Sequence, residues 1–234
     1  MNFNLLSKSI IYCVFLLGLG SCAYFNTFYN ARQYYEEDEK IRLQKEGESI
    51  PITAMDKYGK TIQKCQKVLN DFPETKFRID AILLMAKARY YRKDYEFAID
   101  DLKVVSADGN QKQIEEAQYW RSLCKLKKGD AEAGIDELTD LLGKSKSKDV
   151  QSRCHLSLAE IANELKDSDL ALTHLQEGAK LTKDRAQKGV IYTRLAEMAF
   201  NRKNYESAIN AYGKVVANSI SKEKVEKAHL QILK

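Results

Sequence analysis

The sequence predicts an all-α protein built from about five repeated helix pairs, and three observations carry that reading. A capping residue followed by a helix start with a small fourth residue recurs at Asp94-Tyr95-Glu96-Phe97-Ala98, Asp130-Ala131-Glu132-Ala133-Gly134, Asp167-Ser168-Asp169-Leu170-Ala171 and Asn204-Tyr205-Glu206-Ser207-Ala208, with a fainter copy from Lys57 to Thr61. The small residues Thr61, Ala98, Gly134, Ala171 and Ala208 are 37, 36, 37 and 37 residues apart, and a period held that closely marks a repeat array. Around this anchor, Ile62, Ile99, Ile135, Leu172 and Ile209 follow by one residue, and Cys65, Leu102, Leu138, Leu175 and Tyr212 by four. Val68, Val105, Leu141, Gly178 and Val215 follow by seven. Offsets of one, four and seven lie on one helix face. A second small column, Ala86, Ser122, Ala159 and Ala196, precedes the anchor by twelve within another amphipathic run, so each unit is two helices whose backbones approach at the small residues.

Taken in order, the chain opens on a polar stretch with one cation, Lys8, followed by the apolar run from Ile10 to Leu19. Ten apolar residues are too few to span a bilayer and have the proportions of a secretory signal. The run ends in Leu19-Gly20-Ser21-Cys22, which resembles the bacterial lipobox. That resemblance implies a signal peptide over residues 1–21 and acylation of Cys22 by palmitate-type chains, whereas a cleaved signal with an incidental cysteine is the plainer alternative. Several acyl chains on one residue give stable anchoring where a single chain does not. Ala23 in the next position resembles lipoproteins sent to the outer membrane.

Residues 22–52 read as an aromatic N-terminal segment and helix, lipidated at Cys22 if the lipobox resemblance holds. Tyr24, Phe25, Phe28, Tyr29, Tyr34 and Tyr35 crowd its start, suited equally to a membrane interface, a partner, or a lid over the first repeat. Residues 31–46 read as a charged helix, which Gly47 to Pro51 breaks. Residues 53–234 form the repeat array with a terminal helix. In each second helix the Asp or Asn four before the anchor is the expected N-cap. Lys222 to Lys234 begins a further amphipathic helix with Val225, Ala228, Ile232 and Leu233 on one face.

These units resemble the tetratricopeptide repeat: a small eighth residue, a turn such as Lys128-Gly129-Asp130, a small twentieth residue, and a first unit closing in Val68-Leu69-Asn70-Asp71-Phe72-Pro73. The resemblance covers roughly residues 53–220 and implies a right-handed solenoid. Two features depart from it: the period is longer than usual by about one turn, and later units lack the closing proline. In that family the first helix of each unit lines a concave face. Carried over by register, the resemblance places a peptide-binding groove at Lys87, Tyr90, Tyr91, Tyr119, Leu123, Lys127 and Arg153. Asp80, Leu83, Glu116, Leu126, Leu156, Glu160, Asn163 and Glu164 fall at equivalent positions, and in the last unit Val190, Thr193, Glu197, Phe200 and Asn201.

Composition excludes more than it selects. Charged residues make up 30% of the chain, with 38 basic against 33 acidic residues and a net charge of +5. Such a balance does not favour nucleic acid, which wants basic residues gathered on one face. The basic run Lys144-Ser145-Lys146-Ser147-Lys148 reads as a solvated connector. Cys65, Cys124 and Cys154 are an odd number with no close pairing. There is no phosphate loop, nucleophile elbow or HExxH motif, so no catalytic residue, metal or cofactor is expected. His155 and His174 fall on the two helices of one unit, where a dyad is open but isolated surface histidines are the expectation.

The lipobox, the early start of the array and the Tyr58 to Pro73 segment together resemble the tetratricopeptide lipoproteins of the outer-membrane β-barrel assembly machinery. That resemblance implies a non-catalytic scaffold, anchored in the outer membrane and facing the periplasm. Its partners would be barrel-assembly subunits or unfolded outer-membrane protein peptides, with no nucleic acid and no small-molecule substrate. A cell-division or Tol-Pal scaffold and a peptidoglycan-associated accessory lipoprotein are the alternatives.

Overall fold

The computed structural model describes residues 25–44 and 49–234, so the expected signal and Cys22 lie outside the described residues. Among the described residues there are eleven α-helices and no strand. Helix α1 covers 25–44. It is followed by α2 Ile52–Asp71, α3 Arg78–Tyr91, α4 Tyr95–Asp108, α5 Gln111–Lys128 and α6 Ala131–Lys144. The chain continues through α7 Lys148–Glu164, α8 Ser168–Leu181, α9 Arg185–Asn201, α10 Tyr205–Asn218 and α11 Lys222–Leu233. The helices pair in chain order as α1/α2 to α9/α10, with α11 following as a single helix. Successive pairs stack, and α3, α5 and α7 also touch one another across the stack. The result is a helical repeat solenoid.

The apolar columns form its spine. Cys65, Leu102, Leu138 and Leu175 are buried, as are Val68, Val105, Leu141, Gly178 and Val215. Both small columns are sealed from solvent. At Gly134 an added Cβ would lie 2.6 Å from Leu126 Cγ and 3.1 Å from the Ser122 carbonyl oxygen, so the α5 and α6 backbones meet closer than a side chain allows. The column one residue after the anchor is only partly covered, and Ile209 near the end of the stack is exposed.

Helix α1 begins by residue 25, earlier than the expected 31, because its aromatic start is part of a buried stripe. Phe28, Ala31, Tyr35 and Asp38 recur at three- and four-residue spacing, and the Thr61 hydroxyl of α2 donates to the Ala31 carbonyl (3.4 Å). Phe28 and Tyr35 therefore act as the lid, with rings 5.2 Å from Phe77 and 5.8 Å from Tyr58 respectively. Phe25 and Tyr29 remain exposed.

The turn inside the pairs α3/α4, α5/α6, α7/α8 and α9/α10 repeats in detail. In α3/α4 the N–H of Lys93 bonds to the Tyr90 carbonyl and that of Asp94 to the Arg89 carbonyl, the paired bonds of a Schellman ending. The same two bonds recur at Gly129 and Asp130, at Lys166 and Asp167, and at Lys203 and Asn204. The first residue of each couple has positive φ: 68° at Lys93, 94° at Gly129, 63° at Lys166 and 60° at Lys203. Asp130, Asp167 and Asn204 then cap the next helix, accepting from the N–H groups of Ala133, Leu170 and Ser207. Asp94 departs from the expectation: it makes no side-chain cap, and its carboxylate lies 3.6 Å from Arg92 Nε. At the faint first copy, Lys57 lies inside α2 rather than before it.

Between pairs, hydroxyl groups stand one residue before the register of the missing proline, at the position Phe72 holds in the first unit. Ser145, Thr182 and Ser219 each accept from the N–H two residues on, at 3.1, 3.1 and 3.2 Å. Their partners Ser147, Asp184 and Ser221 are the N-caps of α7, α9 and α11. The basic run at 144–148 is thus such a connector, with Ser145 buried and bonded to Glu115 (2.7 Å).

Candidate groove

The first helices α1, α3, α5 and α7, with the start of α9, enclose a concave cavity of about 1210 Å³. All seven residues predicted for the groove line it: Lys87, Tyr90 and Tyr91 from α3, Tyr119, Leu123 and Lys127 from α5, and Arg153 from α7. Of the positions expected from the last unit only Val190 reaches it, beside Ala186 and Gln187 from the same helix. Thr193, expected there, is instead buried, its hydroxyl bonded to the Gly189 carbonyl (2.8 Å). Phe200 stacks edge-on against Tyr205 outside the cavity.

The floor is aromatic. Tyr91 stacks on Tyr58 at 5.0 Å and meets Trp120 edge-on at 5.6 Å, while Tyr90 and Tyr119 also pack edge-on against Trp120 at 5.2 and 5.8 Å. Burial pushes the phenols of Tyr90, Tyr91 and Tyr119 upward, that of Tyr119 to about 12. They are un-ionised donors at neutral pH.

Charge on this floor is organised around two carboxylates. Glu116 pairs with Lys87 (2.8 Å) and with the Arg153 guanidinium, and it accepts from the Trp120 indole N–H (3.3 Å). Burial alone would raise its carboxyl, but Lys87 and Arg153 outweigh that and hold it down at about 2. The Arg153 guanidinium also covers the Tyr119 ring at 4.6 Å and Lys87 Nζ covers Trp120 at 5.5 Å. Glu39 of α1 is the second centre: Arg42 pairs with it (2.8 Å), and the hydroxyls of Tyr58 (2.8 Å) and Tyr91 (3.5 Å) donate to it. Two of the three predicted groove cations are therefore spoken for, and the Lys87–Glu116–Arg153 triad keeps one net positive charge. Lys127 is exposed and makes no ion pair among the described residues.

Sequence reasoning missed the α1 contribution, Glu39 and Arg42, because the register carry-over began at α3. Trp120 was missed because it lies one residue past Tyr119, at a position the register carry-over did not count.

Outside the groove, two arrangements stand out. Asp38 is buried, neither of its carboxylate oxygens has a hydrogen-bond partner among the described residues, and burial raises its carboxyl to about 7. His155 and His174, expected to be isolated, face each other across α7 and α8 with Nδ1 atoms 2.9 Å apart. Cys65, Cys124 and Cys154 are free and buried, and burial raises each thiol to about 12. Among the described residues no three of His, Cys, Asp and Glu gather as a metal site, and no helix is long and apolar enough to cross a membrane.

No curated protein matches the chain. Among solved structures it resembles a thermophilic tetratricopeptide protein of Thermus thermophilus, with a TM-score of 0.53 and 17% identity over 85% of this chain and 100% of that one. The crystal structure of MamA gives a TM-score of 0.49 and 17% identity over 75% of this chain and 92% of that one. At such identities the likeness is one of fold. A tetratricopeptide repeat-like domain matches residues 107–226, just over half of the sequence, and the chain belongs to that family.

Proposed function

We propose that this protein is a non-catalytic scaffold that holds an extended protein segment in its concave groove, anchored through Cys22 to the outer membrane and serving the assembly of β-barrel proteins on the periplasmic side. The carrying observation is the groove itself, a cavity of about 1210 Å³ shared by the first helices of four successive pairs and opening onto α9. Such a trough accepts a chain rather than a small molecule. Its aromatic floor offers flat, rigid apolar area with hydroxyl donors, which suits alternating side chains of an extended peptide. Its paired charges present both signs to a main chain, and the exposed Lys127 at the rim adds a free cation. The membrane anchor and the barrel-assembly role are supported by the lipobox-like Leu19-Gly20-Ser21-Cys22 and by the aromatic segment that follows it.

The test is affinity capture of the natively anchored protein from detergent-solubilised membranes, beside Cys22→Ala and Leu123→Glu variants. Stoichiometric recovery of a barrel protein with periplasmic domains, at least tenfold reduced by Leu123→Glu, is the expected result. Recovery of cell-division or peptidoglycan proteins instead would overturn the barrel-assembly role.

A further inference from the structure

Helix α1 divides its aromatic residues between two faces. Phe28 and Tyr35 turn into the stack, whereas Phe25 and Tyr29, one turn apart, stay 56% and 50% exposed with their rings stacked at 6.3 Å. The Phe25 ring leans on Phe77 at 6.1 Å, and Lys76 Nζ lies 5.2 Å over that same Phe77 ring. Polar groups border the two rings: the Tyr29 hydroxyl accepts from Gln33 Nε2 at 3.1 Å, and the next cation along the helix, Arg32, pairs with Glu36 at 3.3 Å. From Cys22 to Tyr35 the sequence holds no acidic residue. Flat rings with an amide and a cation beside them match the headgroup level of a bilayer, where side chains with an apolar body and a polar tip settle.

We propose that Phe25 and Tyr29 rest in the headgroup region of a phospholipid surface, with Lys76 beside the lipid phosphates, and hold the first helix pair against the membrane. This rests on the acylation of Cys22 in the function proposed above. Phe25 follows Cys22 by three residues, and three residues reach at most about 11 Å however they are arranged. The headgroup layer of one leaflet is itself about 5–8 Å thick. Acyl chains buried at Cys22 therefore keep the two exposed rings at or beside the interface, where their apolar area gains by leaving water. The consequence is an orientation of the groove. Phe28 and Phe77, whose rings are 5.2 Å apart, back the exposed pair and both line the α1 end of the cavity. That end of the groove then lies at the membrane surface, and a bound segment is held next to the bilayer.

The test uses the full chain purified from detergent-solubilised membranes, with p-benzoylphenylalanine at position 29 or at position 205, reconstituted into vesicles of phosphatidylethanolamine and phosphatidylglycerol. Tyr29 and Tyr205 are similarly exposed, at 50% and 56%, so exposure alone predicts equal labelling. Irradiation should attach phospholipid to position 29 at least fivefold more often than to position 205. Phe25→Glu should cut the adduct at 29 at least threefold while the acyl chains keep the protein on the vesicles. Intact mass of the same samples separates this proposal from the reading it rests on. Acylated protein that labels equally at both positions, or not at 29, or undiminished by Phe25→Glu, overturns the docking and leaves the anchor standing. A chain without acyl mass overturns the anchor and the docking with it.

Discussion

Glu116 is the residue on which the groove floor depends, because it is the shared counter-ion of Lys87 and Arg153. Its folded-state value of about 2 lies below the ordinary 4.5. Its stabilising contribution is therefore complete above the ordinary glutamate range and is lost as pH falls from about 4.5 toward 2. Glu116→Gln should cost about 2 kcal/mol at pH 7 in urea unfolding, since two partly buried cations lose their partner, and the deficit should vanish near pH 2. Asp38 carries the opposite sign. Its folded-state value is raised from 3.8 to about 7, so the cost of its burial is absent below pH 4 and grows until pH 7 is passed. Asp38→Asn should be the more stable protein at pH 8 by about 1 kcal/mol, with the advantage gone at pH 4; equal stability at both pH values would show that the carboxylate finds compensation. Register placed Glu116 in the groove, but neither its pairing nor the burial of Asp38 announced itself in the sequence. An acidic residue on an amphipathic helix reads as solvated until its neighbours across the stack are known.

At the scale of the element, the turns decide where helices stop. Lys93, Lys166 and Lys203 hold the left-handed conformation that Gly129 holds without a Cβ, and for a residue with a side chain that conformation costs about 1 kcal/mol. Lys166→Gly should raise stability by about 0.5–1 kcal/mol and Gly129→Ala should lower it by a similar amount, both measured by thermal unfolding. Gly134→Ala acts differently, by wedging α5 from α6, and should cost about 1–3 kcal/mol. Such elements were largely readable in advance: the small columns, the caps at Asp130, Asp167 and Asn204, and the helix starts that follow those caps come from local chemistry. Asp94 was not, because Arg92 competes for its carboxylate. The hydroxyl turns at Ser145, Thr182 and Ser219 were not either, because serine and threonine are common in any connector and only their bonds reveal a structural use.

For the whole molecule, a repeat of about 37 residues settles the stacking of pairs, since each pair can bury its apolar stripe only against its neighbours. The groove follows from the same stacking, which is why residues counted off by register from Lys87 to Arg153 all reach one cavity. Its far limit did not follow. Thr193 turns into the stack and Phe200 lies beyond the cavity, so the fifth pair lines the groove only through the start of α9, at Ala186, Gln187 and Val190. What occupies the trough is best asked directly by placing a photo-cross-linking amino acid at Leu123, on the groove, and at Tyr205, which is exposed outside it. With the protein in its native membranes, irradiation should join a partner chain to position 123 and not to 205. Adducts formed equally from both positions, or from 205 alone, would contradict a scaffold that works through its concave face.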